Sequence, residues 1–253
     1  MDRRPAGDVR DEADHQLHVL VTGVTSGIGL ELATLFAAEG ASIIGTGRRP
    51  AAEVPPSLPP ELIYVEADQT APDVAGRIRA AVVAQRWTHI DHLVLNAGIG
   101  FAADAWEERP ESIDLTLRTN LLAPMLITQA FADLLDRSPS RSLVTLIGST
   151  ARHGAPRFAS YAASKAGLAG FARALASEWR DRVDVQLIDP GPTATGMHEK
   201  AGLETGFARR FFVTPETCAR RIRAMMATRR RRSKVSIGFR ELMQGLTPSK
   251  KTG

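Results

Sequence analysis

Cysteine is almost absent from this chain: among 253 residues there is one, Cys218. A single thiol excludes an internal disulfide framework and a multi-cysteine metal or redox centre, and it fits a reducing compartment, so a cytoplasmic location is expected. Cys218 itself reads as a buried helix residue, and no metal-ligand spacing stands out elsewhere. Long apolar runs are missing too. The longest mostly apolar stretch, Leu121 to Leu135, is interrupted by Pro124, Gln129 and Asp133 and is too short to span a bilayer. Met1 to Gln16 is crowded with Asp, Glu and Arg and lacks the apolar segment of a secretory signal, so it is expected to be a disordered lead-in. No Gly/Ser/Pro-rich linker divides the middle, and no internal repeat or low-complexity tract is present. One soluble domain over 17–246, with a flexible tail at 247–253, is the expectation.

Charge of one sign is scarce overall but concentrated locally. The formal net charge is +4, yet Phe207 to Lys234 carries ten Lys/Arg against the single acid Glu216, leaving the remainder at −5. Arg229-Arg230-Arg231-Arg232 could attract phosphate, an acidic carrier protein or nucleic acid. It could equally be a solvated helix end, where arginine suits the negative end of the helix dipole. Nucleic-acid binding rests on this run alone and would have to show steep salt dependence; it is not the expected role.

Apolar runs of strand length recur with helical stretches between them: Leu17 to Thr22, Ser42 to Thr46, Leu62 to Glu66, His89 to Asn96, Ser142 to Gly148, Val183 to Asp189 and Lys234 to Gly238. The alternation predicts a single α/β domain built on a parallel sheet with helices on both faces. Most of these runs lack a period of two, as expected for strands covered on both sides. A long helix is predicted from about Pro110 to Asp136 and another from about Ala159 to Arg180. The latter is rich in Ala and Gly, so it is either deeply packed or meets a symmetry mate.

Gly23, Gly27 and Gly29 follow the first strand and open the first helix, the context of a dinucleotide-binding turn. Glycine permits the turn and close backbone approach, while the helix N-terminus offers N–H groups and partial positive charge to phosphate. The second strand ends Gly47-Arg48-Arg49 with no acid. An acid there would hold the ribose 2′-hydroxyl of NAD, whereas arginine pairs with the 2′-phosphate of NADP. NADP(H) is therefore expected in preference to NAD(H).

With Thr22-Gly23-x-x-x-Gly27-Ile28-Gly29, Asp68, Asn96-Ala97-Gly98, Asn120, Ser149, Tyr161-x-x-x-Lys165 and Pro190-Gly191-Pro192-Thr193-Ala194-Thr195 in order, the chain resembles the classical short-chain dehydrogenase/reductase family from about Leu17 to Gly238. The resemblance implies a single-domain, Rossmann-like doubly wound sheet of about seven parallel strands, and catalytic roles for Asn120, Ser149, Tyr161 and Lys165. It implies cofactor contacts for Gly23, Thr25, Ser26, Gly27, Ile28, Gly29, Arg48, Arg49, Asp68, Gln69, Asn96, Ala97 and Gly98, then Tyr161, Lys165, Pro190, Gly191, Thr193 and Thr195. A substrate lid at about 193–212 and a homotetramer or homodimer are further implications. Two departures stand out. Leu95 occupies the place of a usual Asn, and Ser149 precedes Tyr161 by twelve positions where thirteen is usual, which leaves Thr150 as an alternative hydroxyl.

These residue types suit carbonyl chemistry. A ketone needs hydride at carbon and a proton at oxygen; the nicotinamide provides the first and a side chain must provide the second. Tyrosine with its ordinary pKa of ~10 is a competent acid, and a cation beside it stabilises the phenolate. Lys165 lies four residues after Tyr161, on the same helix face. Ser149 would donate a hydrogen bond to the developing alkoxide. The expected partner is a small carbonyl or alcohol substrate, with a 3-oxoacyl thioester on an acidic acyl carrier or CoA as an alternative. A cofactor-binding regulator without turnover is the reading from another class.

Overall fold

The computed structural model describes residues 16–193, 212–229 and the strand at 232–235. Residues 1–15 of the lead-in expected at 1–16, most of the expected lid, Thr195 and the tail at 247–253 lie outside the described residues. Seven parallel strands form one sheet: β1 (His18–Thr22), β2 (Ser42–Gly47), β3 (Ile63–Glu66), β4 (His92–Leu95), β5 (Leu143–Ile147), β6 (Asp184–Pro190) and β7 (Arg232–Val235). Their spatial order is β3-β2-β1-β4-β5-β6-β7. The order reverses between β1 and β4, where Val21 pairs with Val94. That reversal opens a crevice at the carboxyl ends of the strands, the place where open α/β sheets bind ligands.

Strands β1, β2, β4, β5 and β6 bury side chains on both faces, which removes the polar half of a period-two pattern. On one face Leu20, Leu93, Val144 and Leu187 pack with Ile78 and Val82 of α2 (Val74–Ala84) and with Leu168 and Ala172 of α6 (Ala159–Glu178). On the other, Val19, Val21, Val94 and Ile188 pack with Leu32 and Phe36 of α1 (Gly27–Ala38) and with Ile222 and Met226 of α7 (Pro215–Ala227). Cys218 is fully buried in that second layer, and burial pushes its thiol pKa up, so the thiol behaves as a small apolar group.

The predicted long helix is broken. It runs as α3 (Pro110–Leu117), a π-helical turn (Arg118–Leu122), α4 (Ala123–Ala130) and α5 (Ala132–Asp136). Pro124 has no N–H to offer the carbonyl four residues back, that of Asn120, and its ring crowds that carbonyl. The chain responds by widening one turn, with Ala123 N–H bonding to the Arg118 carbonyl. Asn120 thus sits in the middle of a π turn, a feature that recurs at functional sites. Helix α6 answers the small-residue question in two ways: Ala162, Ala169, Ala172 and Ala176 are buried, whereas Ala163, Ala166 and Ala174 are exposed. At Gly167 a β-carbon would fall 2.9 Å from a methyl of Leu121, so the missing side chain lets the π turn lie against α6.

Candidate active site

The crevice at the carboxyl edge of the sheet is a cavity of about 710 Å³. Its first wall is the turn between β1 and α1. Gly23, at φ +75°, has the Ala97 backbone against it, where a β-carbon would fall 2.9 Å from the Ala97 Cα. Gly29 lies behind this wall. A β-carbon there would collide with the Gly23 carbonyl at 2.1 Å, so glycine is what allows the helix to begin so close to the turn. The Ser26 side chain makes no cap to α1, which leaves the first helical N–H groups directed at the cavity. That is an anion-binding arrangement.

Asn96 and Thr22 brace this wall. The Thr22 hydroxyl accepts from the backbone N–H groups of Asn96 and Ala97, both at 3.0 Å. In return the Asn96 amide donates to the carbonyls of Thr22 at 3.0 Å and Gly23 at 3.2 Å. Both amide hydrogens are committed to the turn, so Asn96 shapes the wall while Ala97 and Gly98 lie along it. Arg48 and Arg49 stand at the end of β2 on the cavity rim, with Arg48 exposed. Asp68 and Gln69 line the next edge, and Asp68 accepts from the backbone and hydroxyl of Thr70, both at 2.8 Å. Thr25, Ser26, Gly27 and Ile28 line the floor, and Pro190, Gly191 and Thr193 the far side.

Ser149, Tyr161 and Lys165 converge at the inner end. Ser149 follows β5 and caps a short 3-10 turn (Thr150–His153), its hydroxyl accepting from the Ala151 N–H at 3.1 Å. That turn takes up the short spacing to Tyr161. Among the described residues, Ser149 is the side chain close enough to the Tyr161 phenol to stabilise its ionised form, while Thr150 also lines the cavity. Burial pushes the Tyr161 pKa up, and the Ser149 hydrogen bond partly offsets this. Lys165 is buried, donates to the Ile147 carbonyl at 2.8 Å, and has its Nζ 5.9 Å from the Tyr161 ring centre. Desolvation lowers its pKa to about 8, against the pull of Asp189. The lysine is therefore a cation near its titration point, poised next to a phenol.

Asn120 does not line the cavity. It is fully buried, and its side chain grips the chain after β4: Oδ1 accepts from the Ile99 N–H at 2.9 Å, and Nδ2 donates to the Ile99 carbonyl at 2.8 Å and the Ser164 hydroxyl at 3.0 Å. It reaches the reaction space through Gly98, whose β-carbon would touch both Asn120 Oδ1 and Lys165 Nζ.

Several cavity residues carry no motif. Gly100 packs on the Tyr161 ring, where a β-carbon would lie 2.9 Å from Cδ2. Phe101, Leu115, Ala155 and Phe158 make the apolar mouth, with Phe158 edge-on to Tyr161 at 6.1 Å. Beneath Ser149 lies a buried ion pair, Arg152 to Asp189 at 2.9 Å, with the two side chains 6% and 1% exposed. Asp189 closes an apolar strand run and Arg152 sits in a loop, so neither declares itself except as a charge where a strand end should be apolar.

A family model described as short chain dehydrogenase matches residues 17–205. The chain is 30% identical over 192 residues to the uncharacterized oxidoreductase YciK of Escherichia coli, covering 72% of this chain and 76% of that one. It is 30% identical over 191 residues to the 3-oxoacyl-[acyl-carrier-protein] reductase FabG of Thermotoga maritima, covering 72% and 76%. A short chain dehydrogenase from Shigella flexneri, solved in complex with NADP, superposes with a TM-score of 0.70 at 26% identity, over 79% of this chain and 86% of that one.

Proposed function

The chain belongs to the short chain dehydrogenase family and is an oxidoreductase, and from that premise we propose that it interconverts a carbonyl and an alcohol with NADP(H), using Tyr161 as the general acid and base. The observation that carries this reading is the meeting of the Ser149 hydroxyl, the Tyr161 phenol and the Lys165 ammonium at the inner end of a cavity whose outer end is an anion-binding helix N-terminus rimmed by Arg48 and Arg49. The residues fit a dinucleotide with a 2′-phosphate: the glycine turn admits a pyrophosphate, and the end of β2 offers arginine with no acid.

When bound, the nicotinamide supplies or accepts the hydride. The chain's own residues handle the proton. In reduction the Tyr161 hydroxyl gives its proton to the carbonyl oxygen, and Ser149 holds that oxygen with a hydrogen bond that strengthens as negative charge develops. The Lys165 charge stabilises the resulting phenolate across the buried gap. In oxidation the same phenolate takes the proton from the alcohol. Asn120 acts by holding the Ile99 backbone and the Ser164 hydroxyl, which keeps the wall at Gly98 against Lys165. Phe101, Leu115 and Phe158 favour a substrate with an apolar body next to its carbonyl.

A 3-oxoacyl thioester is the second substrate reading, supported by the likeness to the acyl-carrier-protein reductase and by the basic segment from Phe207 onward. A homodimer or homotetramer is proposed from the exposed Leu117, Leu122, Met125 and Leu126 of the α3-to-α4 segment, whose α3 and π turn pack on α6 with its exposed alanines; light scattering on the purified chain checks it. Activity is tested by following NADPH and NADH oxidation with ketones, aldehydes, quinones and 3-oxoacyl thioesters. Turnover with NADPH that falls at least about 10³-fold in Tyr161→Phe, with cofactor affinity kept, is expected. Unaltered turnover in that variant would refute the assignment.

A further inference from the structure

At the end of the sheet opposite the cavity, His18, His89 and Asp91 come together. His18 is the first residue of β1, and His89 and Asp91 lie in the loop that enters β4. One ligand atom from each lies within 4.8 Å of the other two. We propose that these three side chains form a binding site for a divalent transition metal of the zinc type, with two imidazole nitrogens and one carboxylate oxygen as ligands and water in the remaining position.

Three features support it. His89 Nε2 stands 3.4 Å from Asp91 Oδ2. Zinc–nitrogen and zinc–oxygen bonds of about 2.0–2.1 Å at a tetrahedral angle put two ligand atoms about 3.3 Å apart, so this edge already has the required length. Each ligand is also oriented by a second contact, as metal ligands are. His18 Nδ1 meets the His89 carbonyl at 3.3 Å, and its ring is stacked on Trp87 with centres 4.6 Å apart and planes 8° from parallel. His89 Nδ1 meets the Thr88 hydroxyl at 3.2 Å, which turns Nε2 toward the carboxylate. Asp91 Oδ1 accepts from Ser138 at 2.6 Å, leaving Oδ2, which also takes the His18 N–H at 2.9 Å, on the histidine side. Finally, access and charge suit an ion: both histidines are partly exposed while the carboxylate is 2% exposed. A dication between them would offset the cost of that buried negative charge and tie the start of β1 to the entry of β4.

The test uses the full chain, stripped with chelator and titrated with zinc, and separately with cobalt. Expected are one zinc per chain at micromolar or lower dissociation constant, the visible absorption of four-coordinate cobalt, and a thermal midpoint that rises with zinc. His18→Gln and His89→Gln should each weaken zinc binding by about 10–100-fold and abolish the thermal rise, while NADPH oxidation stays at the level of the parent protein. Asp91→Asn also removes the charge that holds the His18 backbone, so it is not the deciding variant. No stoichiometric zinc on the parent chain, or the same zinc binding in both histidine variants, overturns the proposal and leaves His89 and Asp91 as an ordinary ion pair.

Discussion

Arg152→Ala is the sharpest structural test of how the reaction floor is held. Arg152 Nε donates to Asp189 Oδ2 at 2.9 Å, and the two side chains are 6% and 1% exposed. Asp189 sits directly against the end of β5, since a β-carbon at Gly148 would fall 2.3 Å from its Oδ1. The pair therefore links the turn that begins at Ser149 to the Pro190-Gly191 wall. Asp189 Oδ1 and one terminal nitrogen of Arg152 have no hydrogen-bond partner among the described residues, and the other cation that Asp189 acts on, Lys165, donates its hydrogen bond to the Ile147 carbonyl. Removing the guanidinium leaves a buried carboxylate without its hydrogen-bonded partner, which costs about 3–5 kcal/mol. For a chain of this length each kcal/mol is worth about 2–4 °C, so the midpoint should drop by about 6–20 °C. Thermal unfolding at pH 7.5 and fixed protein concentration, followed by circular dichroism, measures that shift, and urea unfolding under the same conditions measures the free-energy loss. The pair Arg152→Met/Asp189→Asn should recover more than about 1 kcal/mol relative to the sum of the single changes. A loss under 1 kcal/mol in Arg152→Ala, or strict additivity in the double variant, would refute the reasoning.

Other expectations follow from the same geometry. Lys165→Met removes the buried cation beside the Tyr161 phenol, so the acidic limb of alcohol oxidation, where the phenolate is lost to protonation, should move to higher pH by more than one unit, read from kcat/KM against pH. Arg48→Ala should lower kcat/KM with NADPH by about 10–150-fold, the equivalent of about 1.5–3 kcal/mol for a lost charged hydrogen bond, while the value with NADH changes little. His92 is buried, and desolvation depresses its pKa to about 4. Because the unfolded imidazole binds its proton near pH 6.5, the unfolded state holds more protons between about 6.5 and 4, and stability falls as pH drops through that window. The shift corresponds to about 3 kcal/mol, and His92→Gln should flatten the decline in urea midpoints measured from pH 7 to pH 4.5.

Much of the fold can be read along the chain. Apolar runs with turn residues between them give the strands within one to three residues at each end, because a strand covered on both faces needs little else from its sequence. The chief error was the helix expected from Pro110 to Asp136. Helical periodicity continues across Pro124, but the missing N–H at that one position forces the π turn on which Asn120 sits. A pattern-based reading averages over such a single hydrogen bond.

The glycine turn, Arg48 and the Tyr161-x-x-x-Lys165 pair are legible because each depends on local geometry: a positive φ, a strand end, one turn of helix. Folding decided what depends on distant partners. Asn96 lines the cavity as expected, and what the sequence does not show is that both its amide hydrogens brace the Thr22 and Gly23 carbonyls. Asn120 comes near Lys165 across Gly98, and its grip on the Ile99 backbone is the part no sequence pattern shows. Gly100 against Tyr161, Arg152 against Asp189 and the meeting of His18 with His89 and Asp91 join segments up to 73 residues apart. No local propensity records such pairs, because their energy comes from burial and desolvation that exist only once the sheet has brought the segments together.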